Sequence, residues 1–241
     1  MNLLITGSSS GIGLQLARDY LAQGHTVYCC GRNESALAAL TNDFPSLARA
    51  LIFDIQNLQD CRQALASIEP LDLVVLNAGT CEYVDAAQFD AELFERVIRI
   101  NVIGMANCLE CLIPQIKAGG QLALMGSSSS YVPLPRAEAY GASKAATEYL
   151  AKTLAISLQP KNIWVSYIAP GFVETPLTDV NDFPMPMKVD VNFASRKIRQ
   201  GLEKRRSEIH FPASFTLLLK ALRLLPNSAQ RFLLSKTLTR P

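Results

Sequence analysis

Tyr140 and Lys144 lie four residues apart in the alanine-rich run from Ala137 to Leu154. On a helix that spacing puts both on one face with their side chains in reach of each other, and Ala142, Ala145, Ala146 and Ala151 keep the surroundings slim. A free phenol titrates near about pH 10, too high to exchange protons at neutral pH. A nearby ammonium favours the phenolate and brings the value toward working range, which makes Tyr140 a candidate general acid. The spacing alone identifies nothing, because a half-buried helical tyrosine needs no function.

A second stretch could bind what such an acid would act with. The strand-like run Asn2–Thr6 passes into Thr6-Gly7-Ser8-Ser9-Ser10-Gly11-Ile12-Gly13, directly before the amphipathic run Leu14–Leu21. Glycines allow a tight turn and a close backbone approach, and the helix start offers unpaired N–H groups and a positive dipole end to a pyrophosphate. Strand, glycine turn and helix in that order mark where a dinucleotide binds, with Gly7, Ser9, Ser10, Gly11, Ile12 and Gly13 forming the loop. The spacing is Gly-x-x-x-Gly-x-Gly rather than Gly-x-Gly-x-x-Gly.

After the next strand-like run, Thr26–Cys30, comes Gly31-Arg32-Asn33. A carboxylate here would accept from the ribose hydroxyls, whereas a guanidinium pairs with a 2′-phosphate, so Arg32 favours NADP(H) over NAD(H). Asp54, after the third strand, either accepts from the adenine amino group or caps a helix.

The elements that must position these residues alternate in type. Strand-like runs at Asn2–Thr6, Thr26–Cys30, Ala50–Phe53, Leu71–Leu76, Gln121–Met125 and Ile163–Ile168 are separated by helical patterns near 12–23, 34–42, 57–68, 91–117 and 138–158. That rhythm belongs to βαβ units and a parallel sheet. With no repeat and no linker, 1–241 reads as one α/β domain: a Rossmann-like doubly wound parallel sheet of about seven strands, helices on both faces, and a C-terminal helical extension over 212–241.

Composition narrows the function classes. A content of 49% hydrophobic and 18% charged residues excludes disorder. No uninterrupted apolar run reaches the roughly 18 residues of a membrane span, and no leader pattern follows Met1. Six cysteines at irregular spacing fit reduced thiols and a cytoplasmic setting. Cys108 and Cys111 form a C-x-x-C deep in an apolar segment, where a core or interface role is expected. His25 and His210 have no partners at metal-ligand spacing, so no metal site is expected.

Together these residues resemble the short-chain dehydrogenase/reductase family over roughly residues 1–176. The resemblance is carried by Thr6 to Gly13, Asn77-Ala78-Gly79, Asn101, Ser127, Tyr140-Gly-Ala-Ser-Lys144 and Pro170-Gly171-Phe-Val173-Glu-Thr175. It implies reversible hydride transfer between a nicotinamide cofactor and a small-molecule carbonyl or alcohol. Ser127 would orient the carbonyl and Tyr140 would supply the proton. Lys144 would bind the nicotinamide ribose and lower the tyrosine pKa, while Asn101 would hold a relay water. Asn77, Ala78 and Gly79 would line the cofactor groove, with Pro170, Gly171, Val173 and Thr175 at the nicotinamide end. Leu76 stands where the family has a first Asn. Ser127 opens a run of four serines, which leaves Ser128 as the alternative. Independently of the family, a forming alkoxide needs a proton donor and a second hydroxyl, and Ser127 follows a strand at the edge where open α/β sheets bind ligands.

Residues 177–189, with Phe183-Pro-Met-Pro-Met187, read as a substrate lid; with Phe172 they point to a hydrophobic substrate, or merely pack on the body. From Asp190 onward 11 basic residues face 3 acidic ones, against 12 and 18 before it. Phe215–Leu225 is apolar around most of a helix and must enter a protein interface, cover the pocket, or lie at a membrane surface. Subunit association, as a homodimer or homotetramer, leads that list; peripheral membrane contact through the extension follows, and no nucleic acid is called for. The competing function classes are a non-catalytic nucleotide-binding regulator and a membrane-surface protein that keeps the fold.

Overall fold

Each apolar run forms a strand of one parallel sheet: β1 (Asn2–Thr6), β2 (Thr26–Gly31), β3 (Ala48–Ile52), β4 (Leu71–Leu76), β5 (Ile116–Met125), β6 (Trp164–Pro170) and β7 (Glu208–Phe211). Their order is β3-β2-β1-β4-β5-β6-β7. Parallel neighbours need crossovers, and helices supply them: α1 (Gly11–Ala22), α2 (Glu34–Asp43), α3 (Leu58–Leu65), α4 (Ala91–Ile98), α5 (Gly104–Leu112), α6 (Glu138–Ser157) and α7 (Val191–Glu203). Two more, α8 (Ala213–Arg223) and α9 (Asn227–Ser235), follow the sheet. The computed structural model describes residues 1–235; the last part of the expected extension, 236–241, lies outside the described residues.

Successive strand side chains point to opposite faces, and here both faces are covered. Leu4, Val74, Leu76, Leu122 and Leu124 pack with Leu65, Met105, Leu112 and Ala151 of α3, α5 and α6. Leu3, Ile5, Val75 and Ala123 pack with Leu16, Leu37 and Ile198 of α1, α2 and α7. The strands therefore read as near-continuous apolar runs. Asn33, Asn57, Asp90 and Asp190 cap the starts of α2, α3, α4 and α7 by accepting from first-turn N–H groups.

The segment expected as one helix over 91–117 is built of pieces. Five π-helical residues, Arg99–Ile103, separate α4 from α5, and Pro114 sits in a 3-10 turn that ends the helix. Strand β5 starts there, at Ile116, well before the expected Gln121, and its pairing with β4 shifts register between Leu71 and Leu73. The helical span Ala91–Gln115 is long and apolar enough to cross a membrane by length and composition. Here Val97, Met105, Cys108 and Leu112 of that span are buried in the protein.

Strands β1 and β4, whose connections run to opposite sides of the sheet, are neighbours. Their carboxyl ends, with those of β2, β5 and β6, form the edge where the candidate residues gather.

Candidate functional site

A cleft of about 510 Å3 runs along that edge. It is lined by Gly7, Ser9, Ser10, Gly11 and Ile12, by Arg32 and Asp54, by Asn77, Ala78 and Gly79, by Ser127, Tyr140 and Lys144, and by Pro170, Gly171, Val173 and Thr175. Two expected residues are not on its wall, Gly13 and Asn101. Gly13 instead lets α1 pack closely: a Cβ there would overlap the Gly7 carbonyl oxygen and the Asn77 side chain. Asn101 is fully buried behind the wall; its Oδ1 accepts from Thr80 N at 2.8 Å, and its Nδ2 donates to Thr80 O and Ser143 Oγ, both at 2.9 Å. Its side chain is thereby committed to holding the Thr80 backbone and the second turn of α6.

The glycine loop is built to come close to a ligand. Gly7 has φ +71° and lies against Ala78, so a side chain there would be strained and crowded. Thr6 Oγ1 accepts from Asn77 N at 2.9 Å and Ala78 N at 3.0 Å, and Asn77 Nδ2 donates back to Thr6 O at 3.0 Å. Unlike the four capped helices, α1 starts at Ser10 with no side-chain cap. Its first N–H groups and dipole end face the cleft, a ready anion site.

At the other end Arg32 is exposed, 69% by side chain, with its Nη1 3.6 Å from Asp54 Oδ2. Asp54 Oδ1 accepts from Gln56 N at 3.0 Å, while α3 is capped by Asn57. The carboxylate thus shapes the turn and offsets Arg32, and it does not cap the helix. Phe53 and Ile55, just past β3, and Ile100, in the π-helical turn, add an apolar wall that the sequence does not reveal, because apolar residues at such places look like core.

At the inner end, Tyr140 and Lys144 share a face of α6, as their spacing requires. Lys144 is buried and its Nζ donates to Met125 O at 2.9 Å. Burial lowers its ammonium to about 8. Burial pushes the Tyr140 phenol up, neighbouring Cys81 adds to this, and a hydrogen bond with Ser127 draws it down. Lys144 Nζ stands over the Tyr140 ring, 5.5 Å from its centroid. Ser127, rather than Ser128, lines the cleft and meets Tyr140. Its Oγ also accepts from Ser129 N at 3.1 Å, which fixes the turn.

Cys81 and Tyr83 stand beside Tyr140, and only the fold brings this loop there. Tyr83 meets Phe183 edge-on at 5.2 Å, and Phe183 meets Phe172 at 6.1 Å. Arg136 grips Asp182 through two bonds of 2.7 and 3.2 Å, and Val189 pairs with Val173. The segment 177–189 is thereby folded over the inner end, with Leu177 and Thr178 on the cleft wall. Cys108, of the C-x-x-C, is buried, as expected of a core residue.

The family model described as short chain dehydrogenase matches residues 1–183. An uncharacterized oxidoreductase of Myxococcus xanthus is 31% identical over 237 residues, 93% of this chain and 92% of that one. A 3-oxoacyl-[acyl-carrier-protein] reductase of Rickettsia bellii is 33% identical over 182 residues, covering 74% and 76%. Among solved structures, a short-chain dehydrogenase of Sphingobium yanoikuyae in complex with NADPH is similar with a TM-score of 0.80 at 25% identity, over 97% of this chain and 95% of that one. One from Burkholderia cenocepacia in complex with NADP has a TM-score of 0.83 at 23% identity, over 100% and 98%. The strand–glycine-turn–helix cleft, the Tyr140–Lys144 face and these matches agree: the chain belongs to the short-chain dehydrogenase family of oxidoreductases.

Proposed function

We propose that the protein reduces an apolar carbonyl compound with NADPH, or runs the reverse oxidation, with Tyr140 as the acid or base. The observation that carries this reading is the meeting of Ser127, Tyr140 and Lys144 at one end of a cleft whose other end offers the uncapped start of α1 and the exposed Arg32.

The residues fit a nicotinamide dinucleotide. The α1 start and the glycine loop would hold the pyrophosphate, Arg32 the 2′-phosphate, and Phe53, Ile55 and Ile100 the adenine face. When bound, the cofactor supplies or takes the hydride. Reduction puts negative charge on the carbonyl oxygen; Tyr140 donates its proton to that oxygen and Ser127 stabilises it by a hydrogen bond. Lys144, anchored on the Met125 carbonyl, would hold the nicotinamide ribose. Asn101 acts as a positioning residue for the Gly79–Thr80 backbone. Tyr83, Phe183 and Phe172 form an aromatic cluster next to Tyr140, which supports an apolar carbonyl or alcohol. The NADP-type complexes of the two structural relatives agree with the preference read from Arg32.

Six free cysteines fit a cytoplasmic protein. Exposed Ile103, Tyr149 and Ile156 on the long helices support a homodimer or homotetramer. The test is a panel of ketones, aldehydes and alcohols offered with NADPH, NADP, NADH and NAD, followed at the reduced-nicotinamide absorbance band. Consumption of NADPH matched by alcohol formation is expected; failure of both NADPH and NADH to bind in a fluorescence titration would overturn the reading.

A further inference from the structure

The turn that presents Ser127 is tied down from two directions. Beneath it lies Tyr167 of β6, whose hydroxyl donates to Ser127 O at 3.1 Å, accepts from Ser127 N at 3.2 Å and meets Ser130 Oγ at 2.9 Å. Gly126 admits that ring, since a Cβ at this position would overlap it.

From the side the turn is tied to α8, which lies beyond the residues matched by the family model. Glu148 lies two turns after Tyr140 on α6. The Glu148 side chain is only 7% exposed, and its Oε1 accepts from Arg223 Nη1 of α8 at 2.9 Å and from Lys152. The next residue of the turn, Tyr131, donates to Glu208 Oε1 at 2.5 Å. Glu208 Oε2 accepts from Lys220 Nζ of α8 at 2.6 Å, and that ammonium also stands over the Tyr131 ring, 5.3 Å from its centroid. One helix thus supplies the cation that bonds Glu208, the partner of Tyr131, and stands over the Tyr131 ring, while Arg223 docks the same helix on the buried carboxylate of α6.

We propose that α8 is a brace for the serine turn: Lys220, through Glu208 and over the ring of Tyr131, makes it a positioning element for Ser127, with Arg223 docking the helix on Glu148. The catalytic consequence rests on the roles of Ser127 and Tyr140 proposed above; the brace itself does not. Both cations of α8 are thereby paired with acids of the body.

The test compares the full-length protein with the double variant Lys220→Ala/Arg223→Ala, with Lys220→Gln alone, and with Lys220→Arg. Hydrogen–deuterium exchange is followed on the peptide covering Ser127 to Tyr131 and on peptides from β1 and β4. The expected result is exchange about tenfold faster in the serine turn, the scale of one lost charge-assisted hydrogen bond, with β1 and β4 unchanged and NADPH affinity held. Lys220→Arg should restore most of the protection. With a carbonyl substrate from the panel, kcat should fall about tenfold in the Gln variant while KM stays, as expected when transition-state positioning alone is lost. Unchanged exchange in the turn, or acceleration spread equally over β1 and β4, overturns the brace. If the double variant does not fold, Lys220→Gln carries the same measurement. Should Tyr140→Phe keep full turnover, the catalytic assignment fails, while the exchange result still decides the brace.

Discussion

Lys144 stands over the Tyr140 ring, its Nζ 5.5 Å from the centroid, and is fixed there by donation to Met125 O. The ammonium bears on the face of the phenol and leaves the hydroxyl to Ser127, the group that draws the Tyr140 pKa down. In the proposed reaction Ser127 would orient the carbonyl, Tyr140 would exchange the proton, and Lys144 would offer its remaining N–H groups to the cofactor.

Burial gives Lys144 a measurable signature. Its value falls from 10.5 to about 8 on folding, so between these limits the folded state binds fewer protons than the unfolded one. Stability therefore rises with pH through that window, and the contribution is lost as pH falls through about 8. Without cofactor, Lys144→Met should abolish this slope. Denaturant melts of both proteins at about pH 7 and about pH 10 should differ in their stability gap by roughly 2–3 kcal/mol. A gap constant across the window would contradict the buried placement.

Arg32 is exposed and free to turn, with Asp54 as a loose partner at 3.6 Å. Arg32→Ala should weaken NADPH by roughly 1.5–3 kcal/mol, about tenfold to a hundredfold, and NADH far less. Titration of both cofactors by nicotinamide fluorescence measures the difference. Equal losses would show that Arg32 does not read the 2′-phosphate.

Phe183 packs between Tyr83 and Phe172. Phe183→Ala should raise KM for an apolar ketone about tenfold, consistent with the partial loss of an aromatic side chain's burial, and change KM little for a small polar aldehyde. Steady-state kinetics on the two substrates provides the comparison; a parallel rise for both would make Phe183 a packing residue of the body.

The strands were legible because they are buried on both faces, and Tyr140 with Lys144 because a four-residue spacing on a helix is itself geometry. The glycine loop was legible as a turn, yet its members divide: Gly7 and Gly11 face the cleft, whereas Gly13 serves the packing of α1, and spacing alone does not separate those uses. Asn101 was read for its type, but the direction of its amide depends on Thr80 and Ser143, which only the fold brings to it. Phe53, Ile55 and Ile100 resembled core. The pairing of Arg223 with Glu148 joins residues far apart in the chain, so the apolar extension looked unpartnered until α8 was seen docked through its cations. Gly119 and Gly120 at the β5 start concealed the first part of that strand.

The proton held by Tyr140 is the centre of this account. Tyr140→Phe keeps the ring beneath Lys144 and removes the hydroxyl that meets Ser127. The decisive measurement is single-turnover oxidation of bound NADPH by the carbonyl substrate, wild type against Tyr140→Phe, with cofactor affinity determined on the same samples. The account predicts a rate lower by about a hundredfold or more, on the scale of general acid catalysis, with NADPH affinity essentially unchanged. A variant that turns over at close to the wild-type rate would contradict it.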